Sequence, residues 1–446
     1  MYIRLNYCNS MYRTVIEQLI SWKEAPSRKP LILNGARQVG KTYILQAFGK
    51  KYYQNIAYVN LDHNTEVEAI FKQGYDIPRI LRALSALLHI HIEPSTTLIV
   101  FDEIQENPVV LNSLKYFCEL APEYHVAVAG SLLGISLHNG ASFPVGKVDM
   151  IKMYPMTFVE FLMATGQEPL AQLVLDGDWN AINALSVRFT DCLRQYYYVG
   201  GMPAVVQEYV TTGNLLIVRE KQKQILFDYR RDFSKHAPNQ QVPRINMVWD
   251  SIPAQLAKEN QKFVYGVLKK GGRATEFELA IQWLIDAGLV YRVHRVTAPL
   301  KPLKFYEDAS AFKLFMLDVG LMGAMADVDS KDILVGDSML REYKGAFTEL
   351  YVLTQLMPFD LPTYYYSAND SRIEIDFLVQ HAGRVIPIEV KAEENVKSKS
   401  LRTYIEKHPQ LRGLRISMLP YRQEEWMDNL PLYAVSTYFR TPFERD

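Results

Sequence analysis

Cysteine is scarce. The 446-residue chain holds three, Cys8, Cys118 and Cys192, and no two are spaced as C-x-x-C. That argues against a Cys-based zinc site or a disulfide framework. No stretch approaches the ~20 apolar residues that a membrane span needs. The opening residues, Met1-Tyr2-Ile3-Arg4-Leu5-Asn6, lack the apolar core of a signal peptide, so a cytoplasmic protein with no membrane contact is expected. Net charge is also lacking: 49 Lys and Arg balance 49 Asp and Glu. The balance argues against a globally basic nucleic-acid binder and leaves room for local basic faces. Tyrosine, by contrast, is abundant at 28 residues, which suits recognition surfaces or half-buried packing. Hydrophobic content of 48% and charged content of 22% fit a globular chain too long for one core, with about three domains as the expectation from length.

The most informative stretch is Gly35-Ala36-Arg37-Gln38-Val39-Gly40-Lys41-Thr42, a full match to G-x-x-x-x-G-K-[ST]. Before it, Pro30-Leu31-Ile32-Leu33-Asn34 reads as a short buried strand; after it, Tyr43 to Phe48 reads as the start of a helix. A strand, a tight turn and a helix N-terminus gather backbone N–H groups around one point suited to a phosphate. Lys41 can reach the terminal phosphates and the Thr42 hydroxyl can ligate Mg²⁺. Further on, Leu98-Ile99-Val100-Phe101-Asp102-Glu103 reads as a buried central strand with two acids at its C-terminal edge. Asp102 is placed to hold Mg²⁺ and Glu103 to polarise the attacking water. Two more strands, Ile56 to Asp62 and Val126 to Ala129, alternate with helical stretches, as in a parallel α/β sheet.

The segment Pro30 to Thr42, together with Asp102-Glu103-Ile104-Gln105 and Phe143-Pro144-Val145-Gly146-Lys147-Val148, resembles a large group of prokaryotic AAA-type ATPases. The resemblance implies a P-loop core with a polar residue, here Ser131, between the two acids and the γ-phosphate; a plain Gly-Ser turn at Gly130-Ser131 is the alternative. The group carries arginine where this chain has Lys147. Lysine is the poorer fork for a transition-state phosphate, so an exposed loop lysine is favoured over a catalytic finger. Rings are frequent in such ATPases, and a homo-oligomer stays open.

From Met153 the pattern turns helical. Tyr154 to Leu162 and Tyr196-Tyr197-Tyr198-Val199-Gly200-Gly201-Met202-Pro203 resemble the lid-like region of the same group, with the aromatic run read as packing. Arg230-Arg231-Asp232-Phe233-Ser234-Lys235-His236 is a local basic cluster, read first as a solvated helix face. Residues 245–325 read as a winged helix: a short helix over Lys262 to Lys270, a capping box Thr275…Glu278 opening the next, a stop at Gly288, then a strand from Leu289 to Val296. Such modules contact DNA or serve as protein–protein spacers.

The last constellation is a hairpin, Glu374-Ile375-Asp376-Phe377-Leu378-Val379 and Val385-Ile386-Pro387-Ile388-Glu389-Val390-Lys391, turning at 381–384. Strand alternation sets Asp376, Glu389 and Lys391 on one side. That set resembles the PD-(D/E)xK nucleases, and the whole domain resembles the domain of unknown function attached to these ATPases. The resemblance implies Mg²⁺ on Asp376 and Glu389 against a scissile phosphate, Lys391 activating water, and a further acid, Glu349, from an upstream helix. The leading Pro-Asp is not preserved, since Glu374-Ile375 precedes Asp376, and a nuclease fold that no longer cuts remains an alternative.

The expected organisation is therefore α/β. It comprises an AAA-type P-loop core (1–165), a helical lid (166–240), a winged-helix-like module (241–330) and a restriction-endonuclease-like α/β domain (331–446). The expected function is Mg²⁺-dependent ATP hydrolysis coupled to DNA binding or processing. An ATP-dependent switch with an inactive docking domain is the alternative.

Overall fold

The computed structural model describes residues 11–131, 143–258, 261–330, 333, 341–368, 373–392 and 398–440. The chain forms two compact units: Arg13–Tyr154 with Asp286–Leu289, and Pro155–Ile285 with Val290–Asp446.

The first unit is built on five parallel strands: β1 (Leu31–Asn34), β2 (Asn55–Asn60), β3 (Thr97–Asp102), β4 (His125–Gly130) and β5 (Asp149–Lys152), in the order β2-β3-β4-β1-β5. Leu31 to Leu33, Leu98 to Phe101 and Val126 to Ala129 are buried almost completely, the mark of strands covered on both faces. The covering helices are α1 (Val15–Glu24), α2 (Lys41–Tyr52), α3 (Thr65–Lys72), α4 (Ile77–Leu88) and α5 (Pro108–Leu120). Local chemistry starts them: the Asn64, Asp76 and Asn107 side chains cap α3, α4 and α5 by accepting the backbone N–H three residues on. Phe71 of α3 meets Phe101 of β3 edge-on at 5.7 Å in the core. The chain crosses from β1 to the far edge, works back through β3 and β4, and then passes to the other side of β1. The strand order thus switches direction at β1, and ligands of such sheets bind at the C-terminal strand ends beside that point.

The second unit opens with helices α6 (Phe158–Ala164), α7 (Glu168–Asp176), α8 (Trp179–Ala184), α9 (Ser186–Val199), α10 (Pro203–Thr212), α11 (Leu215–His236) and α12 (Val242–Leu256). Thr157 and Glu160 form a complete capping box at α6. The aromatic run of α9 is packing, as expected: Tyr196 is buried, donates its hydroxyl to the Met156 carbonyl at 2.6 Å and meets Phe158, Phe161 and Tyr351 edge-on. The basic cluster 230–236 ends α11, where Arg230 pairs with Asp250 of α12 at 2.5 Å.

Then come α13 (Tyr265–Leu268) and α14 (Ala274–Asp286). The first is shorter than the expected Lys262 to Lys270. The expected capping box at Thr275 does not form: α14 already begins at Ala274, and the Glu278 carboxylate is taken by the Tyr265 hydroxyl at 3.1 Å and by Arg292 at 2.7 Å.

Eight strands complete the unit: β6 (Val290–Val296), β7 (Glu307–Met316), β8 (Thr363–Ser367), β9 (Glu374–His381), β10 (Arg384–Val390), β11 (Gly413–Ser417), β12 (Arg422–Gln423) and β13 (Met427–Pro431). They form one sheet in the order β12-β13-β11-β10-β9-β8-β6-β7. The expected hairpin is β9–β10, tightened by two central residues of positive φ, Ala382 (46°) and Gly383 (75°). The strands read as a wing are β6 and β7. They pair with each other, and β6 also pairs in parallel with β8 through Arg295↔Tyr365 and Val296↔Tyr366. Segments 241–330 and 331–446 therefore share one sheet. Helices α15 (Val319–Met325), α16 (Arg341–Leu356), α17 (Lys399–Lys407) and α18 (Val435–Arg440) complete the second unit. No helix among the described residues is long and apolar enough to cross a membrane.

Candidate functional sites

At the first site, β1 ends at Asn34 and α2 begins at Lys41, two residues before the expected start at Tyr43. The phosphate loop therefore hands its last two residues to the first turn of the helix, where backbone N–H groups have no intrahelical acceptor. Gly35 is required by a close approach: a Cβ there would lie 2.2 Å from the Met153 carbonyl oxygen. Lys41 folds back over the loop, donating to the carbonyls of Gly35 (2.8 Å) and Ala36 (2.7 Å). Only 6% exposed, its ammonium is pushed down to about 8 by burial, against the pull of Glu103 and Asp102 and with a further push from Arg37. A phosphate taking the place of those carbonyls restores the counter-charge that burial denies it.

Asp102 lies at the end of β3, beside the start of α2. One carboxylate oxygen accepts the Thr42 hydroxyl at 2.7 Å and the Tyr58 hydroxyl at 2.8 Å; the other accepts the Glu103 N–H at 3.0 Å. Glu103 takes a left-handed φ of 54° as the strand breaks. Its carboxylate accepts the Gln105 amide at 2.5 Å, and the Gln105 oxygen accepts the Ser131 N–H at 3.3 Å. Ser131, buried at the end of β4, is thus tied to Glu103 through Gln105. One hydroxyl and one carboxylate side by side fit Mg²⁺, which keeps waters and substrate phosphates for its other positions. Lys147 pairs with Glu119 at 2.9 Å, with both side chains partly exposed, in keeping with the loop-lysine reading. Tyr58 and Gln105 went unassigned in the sequence. Gln105 stood inside the quoted acidic motif, whereas Tyr58 gave only a tyrosine in a strand.

The second site lies on one face of the eight-stranded sheet. Asp376 accepts the Val390 N–H at 2.7 Å, and Glu389 meets Lys391 at 3.2 Å, so the expected trio is gathered across β9–β10. Glu349 projects from α16, as expected, but toward other partners. It accepts the Gln261 amide at 2.7 Å and lies 3.4 Å from the ammonium of Lys313, a residue of β7. Lys313 also meets Glu374 at 2.9 Å and sits 5.1 Å from the centre of the Tyr365 ring. Burial alone would depress Lys313; Glu349, Glu374 and Asp376 outweigh it and hold the ammonium charged. Burial pushes Glu349 upward against the opposing pull of Lys313, and it also pushes Glu374 and Glu389 upward.

Among the described residues, no three His, Cys, Asp or Glu side chains stand together in a way that could hold a metal ion. One oxygen of Glu389, a residue 3% exposed, has no hydrogen-bond partner. Glu349, Glu374, Asp376 and Glu389 face the ammoniums of Lys313 and Lys391, and burial favours the neutral form of three of these carboxyls. Gln261, Lys313 and Tyr365 were missed from sequence. The available signal was a lone lysine in the apolar run Phe312-Lys313-Leu314-Phe315-Met316.

Comparison with known proteins divides the chain into three segments. Residues 27–162 match a family model described as an AAA domain. Residues 190–332 and 344–435 match two domains of unknown function, DUF8612 and DUF4143. No curated protein matches. Among solved structures, a Walker-type ATPase of Pyrococcus abyssi is similar at 14% identity, over 71% of this chain and 96% of that one, with a TM-score of 0.44. Cdc6p from Pyrobaculum aerophilum is similar at 14% identity, over 74% and 97%, with a TM-score of 0.28. A Vibrio cholerae protein is similar at 12% identity, over 92% and 98%, with a TM-score of 0.19. The first unit is a P-loop α/β core, similar over residues 27–162 to an AAA domain, with the phosphate loop and both acids at one sheet edge.

Proposed function

We propose that the chain is an Mg²⁺-dependent ATPase whose turnover is coupled to DNA binding or processing through its nuclease-like sheet. The observation that carries the ATPase half is the Thr42–Asp102 contact, flanked by Lys41 and Glu103 at the mouth of one phosphate loop. The α2 N-terminus and loop amides bind the phosphates, and Lys41 turns from the Gly35 and Ala36 carbonyls to the terminal ones. Glu103, aimed by Gln105, orients a water in line with the γ-phosphorus and draws on its proton while the bond to the ADP oxygen breaks. Thr42 and Asp102 would hold Mg²⁺, which supplies charge neutralisation on the phosphate oxygens. In the second unit, Asp376, Glu389 and Lys391 are the residues that would face a nucleic-acid phosphate.

The test uses purified full-length protein. Lys41→Ala is expected to lose ATP binding. Glu103→Gln is expected to keep binding while turnover falls about 100-fold or more, the scale of a lost acid–base group. Wild-type turnover in Lys41→Ala sinks the ATPase half. DNA incubated with Mg²⁺ and ATP is expected to be cut by wild type and not by Glu389→Ala; equal products from both sink the nuclease half.

The second reading, an ATP-driven switch whose nuclease fold only docks a partner, is favoured by the Lys313 ion pairs inside the acidic cluster. Salt-dependent DNA binding without cleavage, together with slow turnover, selects it.

A further inference from the structure

Lys313 is an unusual tenant. It is 1% exposed, on a strand outside the expected nuclease-like segment, yet its ammonium lies between Glu349 at 3.4 Å and Glu374 at 2.9 Å. Gln261 closes the third side, with its oxygen 3.5 Å from the ammonium and its amide on Glu349, and the Tyr365 ring closes a fourth. A buried ammonium persists only where opposite charge and acceptors replace its lost water. Here they do, and the converse also holds: two carboxylates that would otherwise repel each other are held by one fixed cation. On the other side of the cluster, beside Asp376, one buried oxygen of Glu389 has no hydrogen-bond partner, while Lys391 and Ser398 draw on the same carboxylate.

We infer that Lys313 is an internal counter-cation standing in the place between Glu349 and Glu374 where a divalent ion would otherwise be held. The cluster then takes at most one divalent cation, on its Asp376–Glu389 side. Glu349, expected as a metal ligand, is instead a partner of Lys313, which is a positioning residue. The inference rests on reading this face as a nuclease-like site, and it concerns what fills the site rather than whether DNA is cut.

The test counts Mn²⁺ bound to nucleotide-free, full-length protein by the loss of the free-ion electron paramagnetic signal. Lys313→Met is expected to bind one Mn²⁺ more than wild type, and the added ion is expected to vanish in Lys313→Met/Glu349→Gln. Thermal unfolding provides a second readout. Lys313→Met is expected to melt earlier than wild type in EDTA and to recover in saturating Mn²⁺, whereas Lys313→Arg stays near wild type in both. Equal ion counts in wild type and Lys313→Met overturn the inference, as does a Lys313→Met protein that Mn²⁺ fails to restore. Wild type binding no Mn²⁺ at this face while Lys313→Met binds one upholds the inference and removes metal-dependent cleavage from the proposed function.

Discussion

Gln105 shows how much a single side chain can arrange. Its amide nitrogen holds the Glu103 carboxylate and its oxygen holds the Ser131 N–H, so the second acid of the motif and the end of the neighbouring strand are joined through one residue. Gln105→Ala is expected to leave nucleotide affinity unchanged and to lower kcat by about tenfold, because Glu103 loses its aim while the phosphate loop is untouched. Turnover measured beside equilibrium binding of a fluorescent ATP analogue checks this, and equal losses in both would contradict it. The phosphate loop and the Asp-Glu pair were legible in the sequence because their chemistry is local: adjacent residues set the turn, the helix start and the strand end. Lys313 was not legible as a site residue. Its partners Gln261, Glu349 and Glu374 lie far along the chain in both directions, and only the packing of a loop and a helix against the sheet brings them together.

Among the elements, β4 carries a pH dependence. Its first residue, His125, is held against Tyr53, whose hydroxyl meets Nδ1 at 2.7 Å, and against the edge of Trp22 from α1. Burial, then the cations Arg28 and Lys23, push its pKa down to about 4. The folded form therefore binds fewer protons than the unfolded chain between about pH 4 and 6.5. This contribution is complete above 6.5 and is lost as pH falls toward 4. The melting temperature of wild type is expected to drop over that window, and His125→Gln to show a shallower drop; parallel pH profiles would refute the assignment. Strand existence was readable here from the apolar run Val126 to Ala129. The hairpin β9–β10 was readable from alternation and its turn. The Thr275…Glu278 capping pattern misled because Arg292 and Tyr265, distant in sequence, claimed the carboxylate first.

For the molecule as a whole, the sheet of the second unit matters most. The matched segments 190–332 and 344–435 divide between β7 and β8, yet β6 pairs with β8 in one continuous sheet. Residues 331–446 expressed alone would expose the β8 edge and lack Lys313. That fragment is expected to aggregate or to melt without cooperativity, whereas 261–446 is expected to give a cooperative transition by circular dichroism; a cooperatively folding 331–446 would contradict this. Composition and periodicity predicted the right kinds of element in this region. They could not predict that the sheet continues across the expected boundary, because pairing between distant strands leaves no mark on either strand's own alternation.

That continuity also sets a timetable for the nascent chain. The β6–β7 hairpin leaves the ribosome complete, but the partner of its open edge, Tyr365-Tyr366, follows about 50 residues later. At usual synthesis rates this is an interval of roughly 3 to 10 s. Throughout it, Val290 to Val296 presents unpaired backbone and apolar side chains to any neighbouring strand, so crowded translation is where this fold is most exposed to mispairing.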